Sequence, residues 1–539
     1  MMGVSSQPRV PLPTTGERPA VYADRVGQWH AATASGSHRQ RLGQYLTPVD
    51  VAMFMARLYT PTDVHCLRVL DPGAGAGILS CALVEVLATS PGKPETIELE
   101  AYEVAPDLAT CLLTCLAYAR QWSQTFGITL QFEVHTEDFV LAHAEALDDT
   151  PRLFSTRPDA SVPFDVVISN PPYCKIPKSD PRAQAAATVV HGQPNLYALF
   201  MAVSAALLKP GGELIVISPR SYAAGPYFRR FREHFFAVMR PEAIHLFDSR
   251  RDAFGRDQVL QENVVLRARR MDGWPLRTNR ETVQVSSSAG AHDLAQARQR
   301  EVMLAEILEW TSQDKVLRIP VDDTDDATAR IVRSWSGGLH ACGLEISTGP
   351  VVPFRATLLL DQRGQVPGVH APLLWMQNVQ SMRVTWPTEA RGKPQYIKVH
   401  PEAMPLLVAD RNYVLLRRFS AKEQHRRLTA APLLAGALGS PFIGLENHLN
   451  YIHRPGGSLS EAEAYGLAML LNSRLLDAYF RTFSGNTQVS ATELRAMPLP
   501  PLEIIVEIGQ RALALPDPSG MEIPDHLIHF NGDRFLGLR

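Results

Sequence analysis

Residues 67–77 read LRVLDPGAGAG. A short apolar run ends in an acid and a proline, and three glycines then alternate with alanine. The residues that follow, 78–88 (ILSCALVEVLA), carry the apolar density of a buried helix. Strand, glycine turn and helix form the opening unit of an open parallel sheet, because alternating glycines let the backbone approach a ligand closely before the helix begins. A helix N-terminus attracts negative charge. Asp71 changes that reading. A carboxylate ahead of the glycines repels a phosphate and can hold a cationic amino group. The turn points away from a dinucleotide or nucleoside triphosphate and towards a cofactor that bears an amino acid.

Working outward, strands and helices alternate. Strands are predicted at Ile97–Val104, before Asp138, at Phe164–Ile168, Glu213–Ser218, Ala243–Phe247 and Asn263–Arg269. Helices are predicted at Pro106–Gln121, Leu196–Leu208 and Tyr227–Met239, and at Pro48–Leu58 with Thr47 as N-cap. This pattern implies an α/β fold with a doubly wound, mostly parallel sheet. Residues 1–40, rich in Pro, Ser, Thr and Arg, are expected to be loosely ordered. A catalytic domain is expected over 41–272. Residues 273–335 read as a boundary, because VSSSAGAHD (285–293) and VDDTDDATA (321–329) have linker composition. Residues 336–539 read as a mixed α+β domain, with one long helix over Leu459–Phe483.

The 539 residues need more than one core. Hydrophobic residues make up 45% and charged residues 20%, an ordinary globular balance. No apolar run suits a membrane span and the N-terminus lacks a signal-peptide core, so a cytoplasmic location is expected. Cys66, Cys81, Cys111, Cys115, Cys174 and Cys342 form no metal-binding spacing. Reduced thiols and no metal are expected, with Cys111 and Cys115 as core. Net charge is −2, so no nucleic-acid partner is announced globally. Between Arg391 and Arg427, however, nine Lys/Arg face three Asp/Glu, a local balance of +6.

Acids end the next two strands. Glu103 is placed to accept from ribose hydroxyls, and Asp138 from an adenine amino group, with Glu137 beside it as a substitute. With Asp71 they line one crevice, and a cofactor with adenine, ribose and a zwitterionic tail fits: S-adenosylmethionine. The fourth strand then ends in Ser169-Asn170-Pro171-Pro172-Tyr173. Asn170 offers a side-chain carbonyl. Pro171 lacks an N–H but keeps its own carbonyl, and its ring restricts φ. Two acceptors can grip both hydrogens of one planar NH₂, which frees the nitrogen lone pair. Tyr173 supplies a flat face for the ring that bears the amine.

On these residues the chain resembles the gamma class of N6-adenine DNA methyltransferases of type II restriction–modification systems. Gly43-Gln44-Tyr45-Leu46-Thr47-Pro48 is similar to the family's N-terminal motif, which closes over the methionine end of the cofactor. DPGAGAG matches the first cofactor motif, Glu103 the second, Asp138 the third and NPPY the catalytic motif. The resemblance implies a Rossmann-like S-adenosylmethionine-dependent fold. It implies a cofactor set of Tyr45, Thr47, Pro48, Asp71, Gly73, Gly75, Gly77, Glu103, Asp138 and Asn170. It implies catalysis by Asn170, Pro171, Pro172 and Tyr173. A second aromatic packs on the extruded base in this family; Phe254 matches that position, with Phe247 as the alternative. ISTGPVVPFR (346–355), YVLLRRFSAKEQHRR (413–427), ENHLNYIH (446–453) and SGNTQVSATELRAMPLP (484–500) resemble the PstI-type branch, in which this half holds the target-recognition domain.

Double-stranded DNA is then the implied partner, with a separately encoded restriction endonuclease as the implied companion. An adenine inside a duplex must be extruded before reaction. Lys175, Lys178 and Arg182, in the loop after NPPY, are candidate DNA contacts. So are Arg417, Arg418, Arg426 and Arg427 in the basic segment. Asn486 and Gln488 have the side chains that read adenine. The same clamp would serve RNA adenine or a protein glutamine amide. The large C-terminal domain and the N-terminal motif argue against the glutamine alternative.

Overall fold

The computed structural model describes residues 10–33, 46–147, 163–247, 262–271, 273–274, 281–308, 315–362, 369–388, 392–420, 424–484 and 487–528. The chain divides into two compact units, Met1–Val321 and Asp322–Arg539.

Among its described residues the first unit is built on nine strands: β1 (Cys66–Pro72), β2 (Thr96–Tyr102), β3 (Thr129–His135), β4 (Phe164–Ser169), β5 (Leu208–Pro219), β6 (Met239–Phe247), β7 (Asn263–Arg270), β8 (Thr282–Ser288) and β9 (Arg298–Met303). Their order in the sheet is β3-β2-β1-β4-β5-β7-β6-β8-β9. The five strands from β3 to β5 run parallel, and β7 is antiparallel to both its neighbours. The fold is the doubly wound, Rossmann-like α/β arrangement expected. Alternation explains why β4 and β5 read as continuous apolar runs: Val166, Ile168, Ile215 and Ile217 enter one apolar layer, and Val167, Leu214 and Val216 enter the layer on the opposite face. The chain builds outward from β1 to β3 and then crosses back to β4. Strand order therefore reverses between β1 and β4, which leaves a crevice at their carboxyl ends.

Several segments differ from the sequence reading. Residues 19–33, expected to be loose, form a helix whose Tyr22, Ala23 and Val26 are buried. Glu85 anchors its start, accepting from the Ala20 N–H at 2.6 Å and pairing with Arg18 at 2.7 Å. The expected boundary segment begins as sheet. β8 pairs parallel with β6, and β9 closes the edge antiparallel. Val283 and Val285 of β8 are core, while Ser286 and Ser288 flank the two ring nitrogens of buried His245 at 2.8 and 3.0 Å. Burial pushes that imidazole down to about 4, so it stays neutral, with one nitrogen donating and the other accepting. The serines that suggested a linker are the polar partners of a core histidine.

In the second unit, the acidic run expected as surface linker is the helix Asp323–Arg333, capped by Asp322 accepting from the Asp325 N–H. Three aspartates in its first turn and two arginines in its last complement the helix dipole. The long helix expected over 459–483 is two helices, Glu461–Asn472 and Arg474–Phe483, broken where Ser473 turns extended and recaps the second through the Leu476 N–H. A four-stranded sheet orders Glu345–Thr348, Leu449–His453, Tyr413–Arg417 and Ala430–Leu433. A five-stranded sheet orders Leu360–Asp361, Tyr396–Lys398, His370–Leu374, Phe442–Leu445 and Leu407–Ala409. Among the described residues no helix is long and apolar enough to cross a membrane.

Candidate active site

The glycine turn lies at the carboxyl end of β1. Gly73, Gly75 and Gly77 have φ of 76°, 59° and 87°, the left-handed region that favours glycine. The Gly73 and Ala74 N–H groups donate to the Tyr102 carbonyl at 3.0 and 2.9 Å, which ties the turn to the end of β2. A Cβ at Gly75 would meet nothing within 4 Å, whereas one at Gly77 would meet the Leu112 side chain at 2.7 Å. Gly75 thus faces open space, and Gly77 is needed where the turn enters its helix.

Glu103 follows β2 and is buried. Its two carboxylate oxygens accept from the Gly75 N–H at 3.0 Å and the Ala105 N–H at 2.8 Å. The acid expected to hold ribose also braces the glycine turn, and burial raises its pKa. Asp71 is fully buried. Its Oδ2 accepts from the Ser80 hydroxyl at 2.5 Å, while Oδ1 is buried with no hydrogen-bond partner among the described residues. Burial pushes the carboxyl up to about 7. The sequence reading missed Ser80, although a serine in the first turn of an otherwise apolar helix was its visible trace.

That shift has a sign that can be measured. A raised carboxyl pKa means that the folded protein holds a proton the unfolded chain has released. The contribution to stability is complete below about 4 and is lost as pH rises to about 7. Asp71→Asn is expected to melt later than wild type at pH values above 7, in cofactor-free protein, with the difference closing as pH falls towards 4. Parallel melting curves across that window would exclude a buried carboxyl titrating there.

The NPPY segment sits on the other side of the crevice. Ser169 Oγ donates to the Pro72 carbonyl at 2.7 Å, which joins the two strand ends. A Cβ at Gly73 would lie 3.6 Å from Pro172 Cδ and 3.9 Å from the Asn170 carbonyl, so the two motifs are in contact. Asn170 Nδ2 donates to Thr47 Oγ1 at 2.9 Å. This turns the amide nitrogen to the N-terminal motif and puts Oδ1 on the opposite edge of the amide. Pro171 is buried. The Tyr173 hydroxyl donates to the Ile217 carbonyl at 3.1 Å, and its ring packs edge-on to Tyr197 with centroids 6.2 Å apart. Both contacts fix the plane of the Tyr173 ring.

Thr47 is buried, and the following helix, Val49–Arg57, has Pro48 at its N-cap without a side-chain cap bond. Thr47 is therefore not the helix cap expected from sequence; its hydroxyl is used by Asn170. Tyr45 lies outside the described residues, as does Phe254. Phe247, the alternative to Phe254, is a core residue packed edge-on to His245 and is not available to a base. Asp138 caps the helix Phe139–His143, accepting from the Leu141 N–H, and also faces Arg182 Nη1 at 3.6 Å. Arg182 pairs more closely with Asp180, at 2.7 Å.

The loop after NPPY carries its own structure. Lys175 and Asn195 form a β-bridge at its base, and Pro181–Ala185 is a short helix. Lys175 and Lys178 are exposed on it.

In the second unit Arg427 overturns its expected role. It is fully buried, donates from Nε to Ser420 Oγ at 2.9 Å and stacks over the Phe480 ring at 5.4 Å. Its backbone N–H is held by Asp477. It cannot reach a phosphate without unpacking the core. Arg417 and Arg418 are half-buried, donating to the Val379 and Asn447 carbonyls at 2.6 and 2.9 Å. Arg426 is half-buried as well, and burial lowers its pKa. Gln488 is exposed and bridges to Phe419; Asn486 lies outside the described residues. All six cysteines are free, with Cys111 and Cys115 in the core. Among the described residues no group of three or more His, Cys, Asp or Glu could hold a metal.

The chain is similar to known methyltransferases. A family model described as the Eco57I restriction-modification methylase matches residues 114–254. The type II methyltransferase M.PstI of Providencia stuartii is 31% identical over 491 residues, which is 91% of this chain and 93% of that one. The type II methyltransferase M.BsuBI of Bacillus subtilis is 31% identical over 475 residues, 88% of this chain and 90% of that one. Among solved structures, the DrdV–DNA complex aligns over 92% of this chain and 60% of its own, at 13% identity and a TM-score of 0.48.

Proposed function

Because the chain belongs to the type II restriction–modification methyltransferases, we propose that it methylates the N6 amine of an adenine extruded from duplex DNA, with S-adenosylmethionine as methyl source. The observation that carries this reading is the contact between the glycine turn and NPPY, with the Asn170 amide oriented by Thr47.

The residues present fit that cofactor. Asp71 Oδ1 is a buried acceptor awaiting a donor, and an ammonium group would supply one. The open space over Gly75 can take a ligand backbone at close range. Glu103 is a buried carboxylate at the glycine turn, an acceptor suited to hydroxyls. When bound, the cofactor supplies an electrophilic methyl on sulfur.

The chain's own residues prepare the nucleophile. Asn170 Oδ1 and the Pro171 carbonyl accept the two hydrogens of the exocyclic amine. That grip favours a pyramidal nitrogen, whose lone pair no longer delocalises into the ring. Tyr173 offers its ring face to the base, and recovers part of the few kcal/mol spent on unstacking. No base is required before attack, because the amine proton becomes acidic only once the new N–C bond has formed; it then leaves to solvent. The second unit serves as target-recognition domain, with Arg417, Arg418 and Arg426 as candidate DNA contacts there and Lys175 and Lys178 in the first unit. Membership of a restriction–modification system implies an endonuclease that shares the site.

The test is to express the chain in a methylation-free host and map modified adenines by single-molecule sequencing. One short motif, modified throughout the genome, is expected. An unmodified genome from soluble, folded protein would sink the DNA reading.

A further inference from the structure

The second unit carries an apolar feature that the basic segment does not account for. The turn after Gly349 begins on core contacts. Val351 is fully buried and bridges to Glu446, its N–H donating to the Leu445 carbonyl at 3.0 Å and its carbonyl accepting from Asn447 at 2.9 Å. A Cβ at Gly349 would strike the Glu446 carbonyl at 2.3 Å, so this approach is close-packed backbone. The chain then makes a helical turn. The Arg355 and Ala356 N–H groups donate to the Val352 carbonyl at 2.9 and 3.1 Å, and Thr357 Oγ1 donates to Pro353 at 3.2 Å. Ala356 is buried and pins the turn from beneath.

From this rigid base Phe354 projects at 77% exposure and Leu358 at 89%. They lie four residues apart, on either side of the bend at Ala356 from which the short turn Thr357–Leu359 starts. Two large apolar side chains held in water by an ordered scaffold mark a contact surface. The charge around them identifies the partner. Residues 349–360 contain one charged side chain, Arg355, and no acid. Its guanidinium lies 5.4 Å from the centroid of the Phe354 ring. At the other end Lys398 donates to the Leu358 carbonyl at 3.2 Å and is exposed. The nearest acid in sequence, Asp361, faces His370 at 3.4 Å. Two cations bracketing two apolar side chains complement a polyanion with an apolar stack at its centre. Apolar wedges flanked by Arg and Lys are the means by which proteins enter a duplex between base steps. Protein–protein interface cores, by contrast, deplete lysine.

We infer that Val352–Leu358 is a DNA-contacting knuckle, with Phe354 and Leu358 against the base stack and Arg355 and Lys398 on the flanking phosphates. The inference rests on the DNA reading above and assigns it a surface that the arginine-rich segment, with Arg427 buried, does not provide. The test uses the full chain and a labelled duplex carrying the site mapped in the host. Phe354→Ala is expected to weaken duplex binding about tenfold. Arg355→Ala is expected to reduce the slope of log affinity against log salt by about one. Both side chains are exposed, so melting temperature and S-adenosylmethionine binding should stay at wild-type values. Variants that bind duplex as wild type does, from a chain that methylates its host, overturn the knuckle and leave the methyltransferase reading standing. Unchanged duplex affinity with a loss of self-association in sedimentation would overturn it too, by giving the surface to a second copy. Failure of the wild type both to bind duplex and to modify host DNA would remove the DNA reading itself.

Discussion

Asn170→Ala is expected to bind S-adenosylmethionine close to wild-type strength and to lose methyl transfer by about 10²- to 10³-fold, the scale for removing one preorganised polar group from a reacting centre. The lost atom is the Oδ1 acceptor; the Pro171 carbonyl remains, and one acceptor cannot hold an amine pyramidal. The effect should fall on kcat, since the grip tightens as the nitrogen changes geometry. Thr47 separates this account from a simpler one. Its hydroxyl accepts from Asn170 Nδ2 at 2.9 Å, so it orients the amide. Thr47→Val keeps the shape and removes the acceptor. It should lower kcat by about 10- to 100-fold through misplacement of the amide, with Thr47→Ser restoring it. If Thr47→Val weakened cofactor affinity and spared kcat, Thr47 would be a cofactor contact alone. Turnover retained by Asn170→Ala would remove the clamp from the mechanism.

The central sheet was legible because buried parallel strands are apolar runs, and glycine and acid punctuation marks their ends. β1, β4 and β5 show this, and with them the positions of Asp71 and Asn170 followed. What stayed hidden depends on distant partners. Ser286 and Ser288 look like linker until His245, on the neighbouring strand, is seen to need them. The helix Pro19–Thr33 has a proline- and serine-rich surround, and its buried face is meaningful only against buried Glu85 and partly buried Tyr118. Thr47 and Asn170 are 123 residues apart, and local pattern offers a threonine before a proline only the role of helix cap. Arg427 was misread for a related reason. A run of basic residues reads as a solvated face, but Asp477, Ser420 and Phe480 make one of its members a core residue. Charge counts describe composition, and burial of a single guanidinium is decided by tertiary packing.

Gly466→Ala and Gly509→Ala are each expected to destabilise the second unit by about 3 kcal/mol or more, above the usual cost of an added methyl in a core. The helices Glu461–Asn472 and Leu502–Leu513 cross at these glycines. A Cβ at Gly466 would lie 1.9 Å from the Ile505 carbonyl oxygen, and one at Gly509 would lie 1.8 Å from that of Ala462. Both obstacles are backbone, so no side-chain rotation relieves them and the helices must separate. Glycine in a helix interior costs about 1 kcal/mol relative to alanine, so on propensity alone both substitutions should stabilise. The sign of the measured change therefore decides whether backbones touch here. Gly520→Ala is the control, because a Cβ there meets nothing within 4 Å, and it should be neutral. The pair also tests the geometry through additivity. Once one alanine has forced the helices apart, the second has less left to displace, so the double variant should cost less than the sum of the singles. Singles as stable as wild type would show that the helices do not approach this closely. Strict additivity would show that each methyl is accommodated by itself, without a shift of the helix pair.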